Sequence, residues 1–281
     1  MFCKVSSCAG LCFGLFRAVE KVFSEGPENL CFLGNLAHNQ ILMQKLKDAG
    51  AVVVDDIASV PKGSKVVIRA HGEKRDVIEN IKFLGFDIID LTCPKVKFIH
   101  KIVSEAESLG KTIIVIGDSK HPEVAGIVGW CHRSFVVGDI EDAFKKLRIF
   151  KLLSGGFCVV SQTTFGRKHF ESIFDFLKKN LKEVEVKDTT CQDSEIRRTE
   201  LEKESQVYDL IVVVGNSLSS NSSKLFETAR GICKNSIHVE RPSELPVGLK
   251  RYESVFITGS ASTMKETVEE VKESILNLWN L

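Results

Sequence analysis

Three cysteines far apart in the chain open three copies of one pattern. From each of Cys12, Cys93 and Cys191 a helical segment leads to an apolar run ending in glycine, at Gly34, Gly117 and Gly215. A polar loop follows each glycine: Asn35-Leu36-Ala37-His38, Asp118-Ser119-Lys120-His121 and Asn216-Ser217-Leu218-Ser219. A later apolar run in each copy ends in a second polar stretch: Arg69-Ala70-His71-Gly72, Ser161-Gln162-Thr163-Thr164 and Gly259-Ser260-Ala261-Ser262. His71, Thr163 and Ser262, 59, 70 and 71 residues after their cysteines, become counterparts. Internal repetition marks a reused structural unit. Thiolates are metal ligands, and with no CxxC pair in the chain a ligand set has to be assembled from separate repeats.

Three such cysteines suit either zinc or an iron–sulfur cluster. Structural zinc takes four ligands at short local spacings. A cubane cluster usually takes four cysteines, so three leave one iron open to a substrate. In a reducing compartment a cysteine is more often a small buried residue. Recurrence beside polar strand ends reverses that preference for Cys12, Cys93 and Cys191. Cys3, Cys8, Cys31, Cys131, Cys158 and Cys233 lack it and read as packing residues.

The polar loops describe an anion cup. His38, His71 and His121 end or follow strands, whereas His100, His132, His169 and His238 have no such placement. The run Ser217–Ser223, after the strand Val212–Gly215, opens a helical segment. One cap needs one hydroxyl; several, with an amide and free helix N–H groups, make a phosphate cradle. It lacks the Gly-Lys of a nucleotide-binding P-loop. Glu123 is the carboxylate placed among these loop ends, and Thr163 can hydrogen-bond it. A carboxyl in a low-dielectric cup beside an anion is a proton donor, although a first-turn acid can also simply complement a helix dipole.

The elements that position these residues are strands and helices in alternation. Apolar runs at Lys65–Ile68, Thr112–Ile116, Phe157–Val160, Leu210–Val214 and Ser254–Ile257 are separated by amphipathic helical patterns, which indicates parallel sheets covered on both faces. The fold class is α/β, with three pseudo-threefold-related units of mainly parallel sheet around a central site. Residues 13–92, 93–190 and 191–281 are the three units. The third lacks a closing strand, so the N-terminal strand in residues 1–12 is expected to complete it. Ligands bind beyond the carboxyl ends of such strands. The 281 residues carry 38 Lys+Arg against 37 Asp+Glu, a formal charge of +1 that argues against a nucleic-acid binder. No apolar run is long enough to span a membrane, and Lys4 interrupts any signal-like stretch, so a cytoplasmic protein is expected.

The ordered motifs resemble the 4-hydroxy-3-methylbut-2-enyl diphosphate reductase family of the non-mevalonate isoprenoid pathway over essentially the whole chain. They are Gly10-Leu11-Cys12-Phe13-Gly14, Ala37-His38-Asn39, Ala70-His71-Gly72, Thr92-Cys93-Pro94, His121-Pro122-Glu123-Val124, Gln162-Thr163-Thr164, Cys191, Ser219-Ser220-Asn221 and Ala261-Ser262-Thr263. The resemblance implies one 4Fe-4S cluster per chain on Cys12, Cys93 and Cys191. It implies a diphosphate held by His38, His71, His121, Ser219, Ser220, Asn221 and Ser262, with Thr163 also at the substrate. Glu123, assisted by Thr163, is implied as proton relay, and a ferredoxin or flavodoxin as source of two electrons. The products implied are isopentenyl and dimethylallyl diphosphates. The chain departs from the family at Ser217, Leu218, Arg198, Ser260 and Met264. Two other readings compete: a quinolinate-synthase-like dehydratase, and a cluster-bearing sensor of a phosphorylated metabolite.

Overall fold

The computed structural model describes residues 2–37 and 39–280. Among them are three separate parallel sheets of four strands each. β2 (Leu30–Leu33), β3 (Val52–Val54), β4 (Lys65–Ile68) and β5 (Ile88–Asp90) pair in the order β3-β2-β4-β5. β6 (Thr112–Ile116), β7 (Ser134–Val137), β8 (Phe157–Ser161) and β9 (Val184–Val186) pair in the order β7-β6-β8-β9. β1 (Phe2–Val5), β10 (Leu210–Val214), β11 (Ser236–Val239) and β12 (Ser254–Gly259) pair in the order β1-β12-β10-β11. The winding is the same each time, and β1 takes the edge that β5 and β9 take in the other sheets. It pairs with β12 from Phe2 opposite Ser254 to Val5 opposite Ile257. The α/β class read from the sequence is the class observed.

The helices are α1 (Phe13–Glu25), α2 (Gln40–Asp48), α3 (Arg75–Phe83), α4 (Pro94–Ser108), α5 (Pro122–Val128), α6 (Ile140–Phe150), α7 (Arg167–Asn180), α8 (Gln192–Glu204), α9 (Ser220–Ile232) and α10 (Lys265–Asn280). None of those described is long and apolar enough to cross a membrane. The chain divides into two compact units. One consists of the chain up to Val19, Asn35–Ala49 and the chain from Gln192 onward; the other consists of Glu20–Gly34 and Gly50–Cys191.

Within the second unit, the β6–β9 sheet shows why these strands are apolar throughout. Successive side chains point to opposite faces. Ile113 and Val115 of β6, with Cys158 and Val160 of β8, pack under Ile99 and Val103 of α4 and Val124 and Ile127 of α5. Ile114, Ile116 and Val159 face the other way, against Ala143 and Phe150 of α6 and Phe170, Ile173 and Leu177 of α7. Each fully buried branched side chain contributes about 1.5–3 kcal/mol of transfer energy. The neighbouring sheet buries Cys31, Val66 and Ile68 against Ile81 of α3. Cys31 and Cys158 are thus core residues.

In the first unit, Leu210, Val212 and Val214 of β10 and Val255 and Ile257 of β12 pack on Val268, Val271 and Ile275 of α10. Ile211, Val213 and Phe256 face Leu201 of α8 and Leu225 and Ala229 of α9. β11 was not among the apolar runs, because Ser236-Ile237-His238-Val239 is mixed in polarity and mostly half-buried at a sheet edge.

The segment leaving β1 is braced by α8. Glu200 accepts from Ser6 Oγ at 2.6 Å, from the Ser7 amide at 2.9 Å and from Cys8 Sγ at 3.0 Å. Burial pushes the Glu200 carboxyl up, but the bonds from Ser6, Cys8 and Ser7 outweigh it and bring it to about 2. Lys4 pairs with Glu204 one turn on, at 3.0 Å. Glu200→Gln is expected to lower stability by about 1–3 kcal/mol and to speed alkylation of Cys8. Urea unfolding and iodoacetamide labelling measure the two effects. An unchanged midpoint with Cys8 still slow to react removes the brace from the account.

Candidate active site

Each of the three cysteines lies directly before a helix: Cys12 before α1, Cys93 before α4 and Cys191 before α8. Each is fixed by the same backbone bond. The Cys12 amide donates to the Ala261 carbonyl at 3.0 Å, Cys93 to Ala70 at 3.0 Å, and Cys191 to Thr163 at 2.7 Å. The acceptor is always two residues past the end of the adjacent central strand, β12, β4 or β8. This corrects the correspondence counted from the cysteines. Thr163 is the structural counterpart of Ala70 and Ala261, and Thr164 is the counterpart of His71 and Ser262. Thr164 and Ser262 both lie 71 residues after their cysteines, so the slip came from matching Thr163 to Ser262 as polar residues across offsets of 70 and 71.

All three thiols are half-buried. Burial pushes the Cys93 thiol up, the Lys95 and Val96 amides oppose the rise, and the charges of Cys191 and Glu123 add to it. Lys95 Nζ stands 3.3 Å from Cys191 Sγ. Cys93 and Cys191, at helix starts and repelling each other and the Glu123 carboxylate, are sulfur donors suited to a cation. Soft, half-buried sulfur donors of this kind fit iron–sulfur ligation. Among the described residues, no three His, Cys, Asp or Glu side chains are gathered as a ready metal group.

In the same unit, His71 and His121 meet edge to face with ring centroids 5.4 Å apart. His121 caps α5, its Nδ1 accepting from the Glu123 amide at 3.2 Å, and Pro122 occupies the first helical position. Glu123 is only 3% exposed. Its Oε1 accepts from the Thr163 amide at 2.6 Å and its Oε2 from Thr163 Oγ1 at 2.7 Å. One residue therefore holds both carboxylate oxygens, and its own carbonyl holds Cys191.

His100, which the sequence left without a role, backs the His71 loop. It is buried, stacks on Trp130 with centroids 5.0 Å apart, and leaves its Nε2 without a partner among the described residues. A Cβ on Gly72, at φ +78°, would lie 2.7 Å from the His100 ring and 3.2 Å from Thr92, so only glycine fits there. Trp130 Nε1 donates to the Glu73 carbonyl at 2.9 Å and completes the clamp.

The first unit holds the hydroxyls that the sequence assigns to an anion cup. Ser219 precedes α9 as its N-cap but makes no side-chain cap bond. Its Oγ lies 3.3 Å from Ser262 Oγ instead, so simple capping does not account for it. Ser220 and Asn221 form the half-buried first turn of α9. Asn39 accepts from the Leu42 amide at 2.9 Å and donates Nδ2 to the Ser262 carbonyl at 2.7 Å, tying the start of α2 to the Ser262 loop. His38 lies outside the described residues. Of the departures, Leu218 and Ser217 are exposed, Met264 is half-buried, and Arg198 pairs with Glu195 and Glu202. Arg197 is the buried one, donating to the Gly259 carbonyl at 3.0 Å.

The structure thus groups Cys93, Cys191, Glu123, Thr163, His71 and His121 in one unit. It sets Ser219 and Ser262 in the other, where Ala261 of the Ser262 loop receives the Cys12 amide. Sequence reasoning missed Lys95, His100 and Asn39. Lys95, one step beyond Cys93-Pro94, was the one with a positional signal.

A family model described as LytB protein matches residues 3–276. The chain is 36% identical over 278 residues to the 4-hydroxy-3-methylbut-2-enyl diphosphate reductase of Caldanaerobacter subterraneus subsp. tengcongensis, covering 96% of this chain and 95% of that protein. It is 34% identical over 279 residues to the protein of that name in Clostridioides difficile, covering 98% and 99%. One similar solved structure, of an (E)-4-hydroxy-3-methyl-but-2-enyl diphosphate reductase described as the terminal enzyme of the non-mevalonate pathway, has a TM-score of 0.74 at 28% identity, covering 99% of this chain and 100% of that one. Another, of the E-1-hydroxy-2-methyl-but-2-enyl-4-diphosphate reductase from Plasmodium falciparum, has a TM-score of 0.87 at 27% identity, covering 97% and 87%.

Burial brings His100 down to about 4, against the nearby charge of Asp90. The unfolded chain, with an ordinary histidine near 6.5, then binds the proton more readily than the folded one. Stability from this group is full above about pH 6.5 and is lost as pH falls towards about 4. Urea midpoints of the parent chain and His100→Gln across that window are expected to differ in slope, the variant falling less. Parallel slopes would mean that His100 is not buried as a neutral ring.

Proposed function

Since the chain belongs to the LytB protein family, we propose that it is an oxidoreductase that removes the hydroxyl of 4-hydroxy-3-methylbut-2-enyl diphosphate, giving isopentenyl and dimethylallyl diphosphates. Two electrons and two protons enter and one water leaves, which balances the reaction. Cys12, Cys93 and Cys191 are the proposed holders of one 4Fe-4S cluster. That cluster, when bound, supplies electrons singly and a Lewis-acidic iron left open by the three-cysteine set. A ferredoxin or flavodoxin of the cytoplasm is the proposed donor. The working organisation is three α/β units, residues 13–92, 93–190 and 191–281, the last completed by residues 1–12.

His38, His71, His121, Ser219, Ser220, Asn221 and Ser262 bind and orient the diphosphate in this reading. Imidazoles and hydroxyls donate to phosphate oxygens, and the amides at the start of α9 add their dipoles. Glu123 and Thr163 handle the proton. With Glu123 ionised, Thr163 Oγ1 donates to Oε2. With Glu123 protonated, the carboxyl donates to Oγ1, which turns its own proton toward the substrate. The proton thus crosses two groups without displacement of either side chain. The observation that carries the reading is the double hold of Thr163 on Glu123, by a residue whose carbonyl anchors Cys191.

Glu123→Gln is expected to keep iron, sulfide and substrate binding while turnover falls roughly 10²–10⁴-fold, the usual worth of a positioned acid. Unchanged steady-state rates would exclude the relay. Cys93→Ser is expected to lose cluster absorbance after anaerobic purification, and Cys131→Ser, a core residue, to keep it. Equal absorbance in both refutes the ligand assignment. Mössbauer spectra with and without substrate complete the test: one iron in four changing its signal supports an open site. A cluster indifferent to the diphosphate favours the dehydratase or the sensor.

A further inference from the structure

The departure at Ser260 falls inside a closed chain of hydroxyls. Ser260 is fully buried. Its Oγ lies 3.1 Å from Ser262 Oγ and 2.9 Å from Thr263 Oγ1, and the Ser262 amide approaches it at 3.4 Å. Thr263 Oγ1 donates to the Val214 carbonyl at 2.7 Å, and at the other end Ser219 Oγ lies 3.3 Å from Ser262 Oγ. The backbone leaves room for this cluster only because residue 215 is glycine. A Cβ there would stand 2.4 Å from Ser222 Oγ and 2.9 Å from both Ser260 Oγ and Thr263 Oγ1. Ser222 Oγ, also buried, has no hydrogen-bond partner among the described residues.

Each hydroxyl has one proton and two lone pairs. Thr263 directs its proton to Val214, so it can only accept from Ser260. Without an anion the chain runs one way: Ser219 to Ser262, Ser262 to Ser260, Ser260 to Thr263. An anion facing Ser219 and Ser262 requires both protons to turn outward. Ser262 Oγ then loses its internal acceptor and needs a donor. Ser260 can become that donor, because Thr263 remains bonded to Val214 when Ser260 turns away.

We propose that Ser260 is a positioning residue that makes Ser262 a stronger anion donor, by turning its hydroxyl proton from Thr263 to Ser262 when a diphosphate binds. The proposal rests on the assignment of Ser262 to the diphosphate. The step is a rotation of hydroxyl protons; no covalent bond changes and no charge moves. A bonded chain of hydroxyls polarises along its length, so a residue that never touches the ligand sets the strength of one that does.

The test is a double-mutant cycle read by calorimetric titration of the holoprotein with inorganic diphosphate. Ser260→Ala is expected to weaken binding roughly three- to tenfold, the net worth of one hydrogen bond. In a Ser262→Ala background the same change is expected to have almost no effect. Ser260→Gly serves as a second variant if the alanine protein does not fold, with thermal midpoints reporting the folded state. Wild-type affinity in a folded Ser260 variant overturns the proposal. So does an effect that persists undiminished without the Ser262 hydroxyl, because a merely structural role would be indifferent to it. Wild-type affinity in Ser262→Ala alone overturns the diphosphate assignment itself, which separates that failure from a failure of Ser260.

Discussion

Three backbone hydrogen bonds fix the three cysteines that open the repeats: Cys12 to Ala261, Cys93 to Ala70 and Cys191 to Thr163. Each joins the start of a helix to the loop leaving a central strand. Donor and acceptor are main-chain groups, so the position of each cysteine does not depend on its own side chain. The same bond orients the residue that follows its acceptor, which is His71, Thr164 or Ser262. A proposed ligand and a loop-end polar residue are therefore registered together. The geometry rests on the sheets beneath, whose central strands bury every side chain from Thr112 to Ile116 and from Leu210 to Val214.

The repeat was legible because it is written in side-chain type. Doubly buried parallel strands have to be apolar on both faces, so β6, β8, β10 and β12 stand out as Val- and Ile-rich runs. The missing closing strand of the last repeat was equally visible, and β1 lies beside β12 in the place the other sheets give to β5 and β9. Register was less legible. The structure pairs Thr163 with Ala70 and Ala261 rather than with His71 and Ser262, because hydrogen bonds count from strand ends, whereas the correspondence had been drawn on polar side-chain type. β11 escaped for a different reason: it is mostly half-buried at a sheet edge, and its Ser and His give no apolar run.

The residues that sequence reasoning missed owe their roles to partners remote in the chain. His100 matters because Gly72 has no Cβ and Trp130 lies flat against its ring. Asn39 matters because its amide reaches the carbonyl of Ser262, 223 positions away. Lys95 matters because its ammonium meets the sulfur of Cys191. A lysine on the first turn of an amphipathic helix reads as a solvated side chain, and a histidine inside one reads as packing. Only the tertiary contact distinguishes them from residues that are nothing more.

Buried acids and buried anion sites share one difficulty: the charge has to change or arrive without the surroundings being rebuilt. A lysine meets that with a fixed charge, at the price of losing selectivity for the occupied state. Hydroxyls meet it by turning. In the proposed relay Thr163 faces Glu123 as donor or acceptor according to where the proton sits, and the proposed role of Ser260 puts it in the same relation to Ser262. In both pairs the heavy atoms are held by backbone or by a second hydroxyl: the Thr163 amide on Oε1, and Thr263 locked to Val214. Only the hydrogen has to rotate. Leu218, exposed at 75%, adds no charge to the Ser219 loop, and the hydroxyls there form a neutral network. On the proposed diphosphate assignment its donors are strongest when an anion is present, because only then do their protons point outward.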